Sequence, residues 1–223
     1  MSKTRVMVGA EGRSRQQVLR IDREPSRPPR PETREELRRA LPELLAGADA
    51  IVLSDYGYGV LDRSLVEAVL AAAGDRIVVG DSRYDLPMMR GVSIAKPNHA
   101  EAEALVGHPV VSEEECRRAG PRLLEMLDVG ALLLTRGNRG MMLLERGEEP
   151  VFIPAADLPG EVTDVSGAGD TVVSLLALSL AAGADFREAA ELSNIGAGVV
   201  VGKLGAATVS PTELVNAAMR IGG

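Results

Sequence analysis

The segment Asp164–Asp170 (DVSGAGD) has the residue types and spacing of a phosphate site. Its short glycine turn runs directly into an apolar stretch that predicts a buried helix. The first N–H groups of a helix are unsatisfied and lie at its positive end, so Gly167, Ala168 and Gly169 are predicted to bind an anion without a lysine. Asp170, in the first turn, would then accept a proton from an attacking hydroxyl, as phosphoryl transfer requires.

The same turn has a second interpretation. An ordinary strand-to-helix connection also uses glycines for positive φ and an acidic residue for the helix dipole. The glycine spacing differs from the G-x-x-x-x-G-K-[ST] loop and from the dinucleotide G-x-G-x-x-G pattern. The residues alone therefore leave an anion site and an ordinary turn both open.

Two further sets of residues could contribute to phosphate chemistry. Asn98 and Glu101 are one helical turn apart and share a face that could hold a hydrated Mg²⁺, although Asn98 would also serve as a plain helix cap. Thr135, Arg136 and Gly137 follow a run of leucines, at the carboxyl end of a predicted strand, where open α/β sheets bind ligands. Arg136 would either neutralise a transferring phosphate or be an ordinary exposed arginine.

These motifs together resemble a known family. D-x-x-G-A-G-D before a small-residue helix is similar to the C-terminal signature of the ribokinase-like (PfkB) carbohydrate kinases, and the family's N-x-x-E and T-[RK]-G-x-x-G elements match Asn98–Glu101 and Thr135–Gly140 in the same order. Within the family, the stretches at Ser54–Gly57, Lys96–Asn98 and Gly198–Gly205 most resemble the bacterial heptose 7-phosphate kinases. The resemblance runs from Lys3 to the C-terminus.

The resemblance implies a ribokinase-like three-layer α/β/α fold with a mostly parallel central sheet, and ATP and Mg²⁺ as cofactors. Asp170 would be the catalytic base, and Gly167, Ala168 and Gly169 would stabilise the transferred phosphate. The positions implied for the nucleotide and its metal are Asn98, Glu101, Thr135, Arg136, Gly137, Asn194, Ala197 and Val201, and those implied for the substrate are Asp55 and Tyr56. The spacing of residues 194, 197 and 201 is also that of plain helix packing.

The resemblance further implies a domain that lacks the family's usual N-terminal third, with residues 1–24 as a remnant β lid and residues 25–223 as the nucleotide-binding domain. The expected substrate is D-glycero-β-D-manno-heptose 7-phosphate, converted at its anomeric hydroxyl to the 1,7-bisphosphate precursor of ADP-heptose and lipopolysaccharide. Tyr58 and Arg83 stand where such kinases usually carry lysine, so another sugar is an alternative. A non-catalytic nucleotide-binding fragment or partner subunit is a third.

Composition bounds the partners. A net charge of -7 and a pI near 5.0 argue against a nucleic-acid surface. An aromatic content of 2% argues against an aromatic platform for a sugar. The single Cys116 indicates a reducing cytoplasm, and no apolar segment indicates a membrane. We expect a homodimer formed through the lid strands, or a second chain that supplies the missing strands and covers the sheet edge they would leave.

Alternating strands and helices after residue 50 predict a parallel sheet covered by helices. Before it, two strands are predicted around a turn at Gly9–Gly12, and Thr33 is predicted to cap a helix to Ala46 with Glu36 as its capping-box partner. The other predicted strands are Ala50–Leu53, Arg76–Val79, Val92–Ala95, Ala131–Thr135, Gly140–Glu145 and Pro150–Ile153. The other predicted helices are Asp62–Ala73, Asn98–Val106, Ser112–Leu127, Gly169–Ala182, Phe186–Lys203 and Pro211–Ile221.

Overall fold

The structure is a computed structural model that describes residues 2–9, 16–25, 27–159 and 163–221. Most of the predicted turn at Gly9–Gly12 lies outside these residues. On either side of it, β1 (Ser2–Val8) and β2 (Gln16–Arg23) pair antiparallel and form a two-stranded sheet of their own. We call this sheet the lid strands.

The main sheet has six strands in the order β3-β4-β5-β6-β7-β8. They are β3 (Ala50–Asp55), β4 (Ile77–Ser82), β5 (Ile94–Ala95), β6 (Ala131–Thr135), β7 (Met141–Glu145) and β8 (Val151–Ile153). Neighbours from β3 to β6 are parallel, and the pairs β6-β7 and β7-β8 are antiparallel. The mostly parallel sheet predicted from the sequence is therefore confirmed.

Seven α-helices are found in the part of the chain that the structure describes. They are α1 (Pro31–Leu44), α2 (Arg63–Ala73), α3 (His99–Val106), α4 (Glu113–Leu127), α5 (Ala168–Ala181), α6 (Phe186–Val201) and α7 (Pro211–Ile221). None of these helices has the length and apolar character that crossing a bilayer requires.

Side-chain caps start most of these helices where the sequence predicts. Asn98, Ser112 and Asp185 each form a capping box with the glutamate three residues on. The predicted cap at Thr33 is wrong: α1 begins at Pro31, and the Thr33 N–H donates to the Arg30 carbonyl within its first turn. The fixed φ of proline suits the first helical position, so the helix starts before the threonine.

The two faces of the main sheet carry separate cores. Leu132 and Leu134 of β6 pack into the cluster formed with α1–α4, while Leu133 packs into the cluster formed with α5 and α6. Successive side chains of a strand point to opposite faces, so a strand covered on both sides is a continuous apolar run. This gives three layers, with helices on both sides of the sheet.

The turn between β6 and β7 depends on a glycine. Gly140 has φ 79°, and a Cβ built on it would lie 2.0 Å from the Ile153 carbonyl oxygen and 2.5 Å from the Ala155 nitrogen. Both are backbone atoms, which cannot move aside as a flexible side chain can. Gly140→Ala should therefore lower the free energy of unfolding by about 3 kcal/mol or more, which exceeds backbone strain alone.

Urea unfolding of the two alanine variants Gly140→Ala and Gly147→Ala measures this difference. Gly147 has φ 88° but open space around its missing Cβ, so only the conformational cost of about 1–2 kcal/mol applies there. Equal losses in the two variants would mean that the contact with the β8 backbone is unimportant.

Candidate active site

The turn before α5 leaves the start of that helix open to an anion. Gly167 has φ 83° and no side chain caps the helix in the described structure. Asp164 holds the turn from behind: its two carboxylate oxygens accept from the Ser166 N–H at 2.8 Å and from the Gly205 N–H at 3.2 Å. These bonds lower the pKa of Asp164, with the Ser166 N–H as the main cause. The Ala168 N–H donates to the Val165 carbonyl at 3.3 Å, while Gly169 and Asp170 are exposed at the positive end of α5.

Asp170 lies in that first turn and is exposed. Its Oδ1 accepts a hydrogen bond of 2.6 Å from the Tyr56 hydroxyl. Tyr56 directly follows β3, so this bond joins two elements 114 residues apart. The proposed base and one proposed substrate residue are thus in direct contact, which the sequence did not predict.

Asp55, the other residue implied for the substrate, forms hydrogen bonds within the ends of β3 and β4. Asp55 is 8% exposed, and its carboxylate accepts from the Gly57 N–H at 3.0 Å and from the Ser82 hydroxyl at 2.8 Å. These bonds tie the ends of β3 and β4 together. In this arrangement Asp55 shapes the turn that carries Tyr56.

A buried ammonium lies beside the glycine turn. Lys96 follows β5, is 4% exposed and forms an ion pair of 3.0 Å with Asp81 of β4. Its Nζ lies 3.9 Å from the point where a Cβ on Gly169 would sit. The sequence predicts the anion site without a lysine, and the structure places Lys96 beside it. The signal was available, since Lys96 and Asp81 come from the carboxyl ends of adjacent parallel strands.

Carboxylates near this lysine interact with one another. Burial raises the pKa of Asp81, the Lys96 charge opposes the rise, and the charges of Asp170 and Asp55 add to it. Burial likewise raises the pKa of Glu101. The Lys96 charge opposes this rise and the Asp81 charge adds to it. The four carboxylates thus belong to one electrostatic cluster at the carboxyl edge of the sheet.

Asn98 and Glu101 form the start of α3. The Asn98 side chain accepts from the Glu101 N–H at 3.0 Å, and the Glu101 carboxylate accepts from the Asn98 N–H at 2.9 Å and from its side-chain amide at 2.6 Å. Within the described residues, no cluster of three or more His, Cys, Asp or Glu side chains could hold a metal. The pair still presents the hard oxygen atoms that suit a hydrated Mg²⁺.

The strand end at β6 brings one predicted nucleotide residue to this edge. The Thr135 N–H donates to the Pro97 carbonyl at 2.9 Å, which places it beside Asn98. Arg136 is 6% exposed, so its interpretation as an exposed surface arginine is wrong. Its guanidinium lies over the Phe152 ring, 5.1 Å from the centroid, and donates to the Val111 carbonyl at 3.4 Å. The cation beside the glycine turn is Lys96 and not Arg136.

The three candidates on α6 have different surroundings. Val201 lines a cavity of about 390 Å³ between α6, α7 and the segment after β8. Asn194 is buried and its side-chain amide donates to the Pro154 carbonyl at 2.7 Å, while Ala197 packs against the core. Gly198 also lines the cavity, and a Cβ there would lie 3.1 Å from Ala156. The absence of a side chain at Gly198 keeps this cavity open.

A second cavity, of about 380 Å³, lies at the ends of β3 and β4. All three tyrosines of the chain line it, namely Tyr56, Tyr58 and Tyr84. The Tyr58 hydroxyl donates to Glu24, which follows the lid strands, at 3.0 Å. The three tyrosines are thus concentrated at one place, although aromatic residues make up only 2% of the chain.

Comparison with known proteins gives the class to which this fold and site belong. The model of the pfkB family carbohydrate kinases matches residues 48–213. The chain therefore belongs to this family of kinases, as the ordered motifs indicated.

The chain is 43% identical over 219 residues to the bifunctional protein HldE of Geobacter sulfurreducens, covering 96% of this chain and 43% of that protein. It is 45% identical over 200 residues to HldE of Hahella chejuensis, covering 89% of this chain and 41% of that protein. The chain thus spans less than half the length of these curated relatives.

Solved structures give the same fold. Phosphofructokinase-2 from Escherichia coli in complex with fructose-6-phosphate superposes with a TM-score of 0.76 at 18% identity, over 99% of this chain and 70% of that one. Ribokinase from Arabidopsis thaliana complexed with ribose and ATP gives 0.65 at 22% identity, over 87% and 60%. The predicted ribokinase-like α/β fold is confirmed.

The Lys96–Asp81 pair generates a prediction on pH-dependent stability. Without the ammonium, the pKa of Asp81 rises further, so the native state keeps a proton that the unfolded chain has released. Stability then falls as pH rises between the unfolded and folded pKa values. Lys96→Met should cost about 3 kcal/mol of unfolding free energy at about pH 8 and less at about pH 5.

Urea unfolding at both pH values measures the effect. In the double variant Lys96→Met/Asp81→Asn neither charge remains, and the pH dependence introduced by Lys96→Met should disappear. The same loss for Lys96→Met at both pH values would contradict the assignment of Asp81 as its partner.

Proposed function

We propose that this chain transfers the γ-phosphoryl group of ATP to a sugar phosphate, and that the substrate is D-glycero-β-D-manno-heptose 7-phosphate, phosphorylated at its anomeric hydroxyl. The observation that carries the proposal is the start of α5, where an uncapped glycine turn, Asp170 and the buried Lys96 lie together. Positive groups for a phosphate and a carboxylate for a hydroxyl proton are what phosphoryl transfer needs.

The nucleotide would lie along the carboxyl edge of the sheet. The cavity lined by Val201 and Gly198 has the size and mostly apolar walls that suit an adenine ring, and Thr135 with Gly137 would contact the phosphates. The Arabidopsis ribokinase of the same fold was solved with ribose and ATP, which supports ATP as a ligand of this fold. Asn194 and Ala197, on α6 behind the cavity, would act by positioning that helix, and Arg136 by positioning the turn that carries Gly137.

Mg²⁺ would be held beside Asn98 and Glu101. Glu101 is a partly buried carboxylate in a cluster of carboxylates, and a divalent cation would offset the repulsion that helps raise its pKa. Mg²⁺ keeps several waters and takes other ligands from phosphates, so these side chains would bind its water shell. When bound, the ion supplies charge neutralisation for the nucleotide phosphates.

Asp170 would accept the proton of the anomeric hydroxyl as that oxygen attacks the γ-phosphorus. The bond from the γ-phosphorus to the bridging oxygen breaks, ADP leaves, and the sugar becomes a bisphosphate. Charge on the transferred group would be stabilised by the N–H groups of Gly167, Ala168 and Gly169 and by Lys96. The cost of burying Lys96 is offset by Asp81 until the nucleotide arrives.

Asp170→Asn tests the base directly. An amide cannot accept the proton, so sugar-dependent ADP release should fall by about 10²–10⁴-fold, while ATP affinity measured by calorimetry stays near normal. Asp75→Asn makes the same exchange at an exposed position before β4, at the opposite edge of the sheet, and should leave both unchanged. Near-normal turnover in Asp170→Asn would remove Asp170 as the base.

ATP binding without sugar-dependent turnover in the native chain would instead favour a nucleotide-binding fragment or partner subunit. β3 is an edge strand of the described sheet, and its Val52 is 41% exposed. Such an edge can pair with another strand. A second copy of the chain, or the remainder of a longer protein, would then complete the sugar site.

The tyrosine-lined cavity supports a second candidate, a kinase of the same family for a different sugar. Heptose 7-phosphate kinases usually carry lysine where this chain has Tyr58, and a phenol hydrogen-bonded to Glu24 offers no positive charge to a remote phosphate. Sugar rings can stack on aromatic faces while hydroxyls bond to tyrosine and glutamate. Such contacts suit a part of the sugar that carries no phosphate group.

A panel of sugars and their phosphate esters distinguishes the two candidates. Higher kcat/KM for heptose 7-phosphate favours the first, and higher kcat/KM for an unphosphorylated sugar favours the second. Tyr58→Lys should lower KM for phosphate esters by about tenfold relative to the free sugars, since it adds one charged contact. If the ratio of KM for phosphate esters to KM for free sugars does not change, Tyr58 takes no part in recognising the substrate.

A further inference from the structure

Tyr56 connects the lid strands to the proposed base. Its hydroxyl donates to Asp170 Oδ1 at 2.6 Å, and the Nζ of Lys3 on β1 lies over the other part of the side chain, 5.4 Å from the ring centroid. The ring also forms one wall of the cavity at the end of β3. One side chain thus touches the lid strands, the base and the candidate sugar cavity.

We propose that Tyr56 is a positioning residue for Asp170, an inference that rests on the proposed kinase function. Its hydroxyl fixes one oxygen of the carboxylate and leaves Oδ2 for the hydroxyl of the sugar. A carboxylate can accept at both oxygens, so this bond does not block proton transfer.

The surroundings of Asp170 explain why it needs such a partner. The side chain is short and exposed at the start of α5, where its rotamers interconvert freely without a bond. A displaced catalytic group costs rate even when binding is intact. A hydrogen bond to a carboxylate is among the stronger ones, and 2.6 Å is the length expected for it.

The tyrosine is suited to remain a donor. Burial raises its pKa above the usual value for tyrosine, and the hydrogen bond and charge of Asp170 raise it further. The hydroxyl therefore keeps its proton over the pH range in which a kinase works. The ammonium of Lys3 holds the ring through a cation–π contact, so the lid strands contribute to the orientation of the base.

Tyr56→Phe keeps the ring and removes only the bond to Asp170. We expect kcat for the sugar-dependent reaction to fall about tenfold, the equivalent of one hydrogen bond to a charged group, with KM for ATP unchanged. Tyr58→Phe is the matched control, because it removes a hydroxyl from the same cavity that bonds to Glu24 instead. It should act on KM for the sugar and not on kcat. An unchanged or increased kcat in Tyr56→Phe overturns the inference.

A second measurement does not depend on turnover. The chain has three tyrosines, so protein with tyrosine labelled only at Cζ gives three side-chain signals by NMR. The Tyr56 signal, assigned by its loss in Tyr56→Phe, should move in Asp170→Asn while the Tyr58 signal stays in place. If the native chain has no sugar-dependent turnover, the proposed function fails, yet this shift still reports the bond. A Tyr56 signal that is the same in native protein and Asp170→Asn overturns the inference, whatever the turnover.

Discussion

Parallel pairing from β3 to β6 is the constraint on which the site depends. Parallel strands end at one edge of the sheet, so residues far apart in sequence meet there. Asp55 ends β3, Asp81 is near the end of β4, and Lys96 follows β5. A sheet of hairpins would send alternate strand ends to opposite edges and disperse these groups. The register that buries Val79 against Ile94 is the same register that aligns Asp81 with Lys96.

The carboxylates at the carboxyl edge of the sheet need opposing positive charge when no substrate is bound. Burial raises the pKa of Asp81 and Glu101, and repulsion from neighbouring carboxylates adds to the rise. Lys96 and the start of α5 are the opposing positive groups. Nucleotide phosphates would add negative charge, which is tolerable only if a cation comes with them. The cluster therefore explains physically why phosphate and metal would bind together.

Patterns local in sequence predicted much of this molecule. β6 was predicted with its observed bounds, because a run of apolar residues between turn signals has few alternatives. The cap at Asn98 was found for the same reason, since its partner Glu101 is three residues away. The cap was predicted at Thr33 because a hydroxyl followed by a glutamate is a common start signal, whereas the structure begins the helix at Pro31, whose φ is fixed.

Contacts distant in sequence were not predictable in the same way. No periodicity or spacing connects Tyr56 with Asp170, or gathers three scattered tyrosines into one cavity. Such contacts follow from the sheet order, which a single sequence does not contain. The interpretation of Arg136 as an exposed arginine failed for a related reason: its surroundings come from β8 and the segment just before α4, which bury the guanidinium.

The two halves of the site therefore differ in what they can determine. The glycine turn offers backbone N–H groups and the nearby lysine a point charge, and both would serve a transferred phosphate whatever the acceptor. Tyr56 and Tyr58 follow β3 and contact Asp170 and Glu24, respectively. They therefore lie on the side of the site that the sugar would occupy. The choice of sugar should consequently depend on the residues that line the cavity between the end of β3 and the lid strands. The proposed base Asp170, linked to that region by the Tyr56 hydroxyl, would be the point at which sugar recognition affects rate.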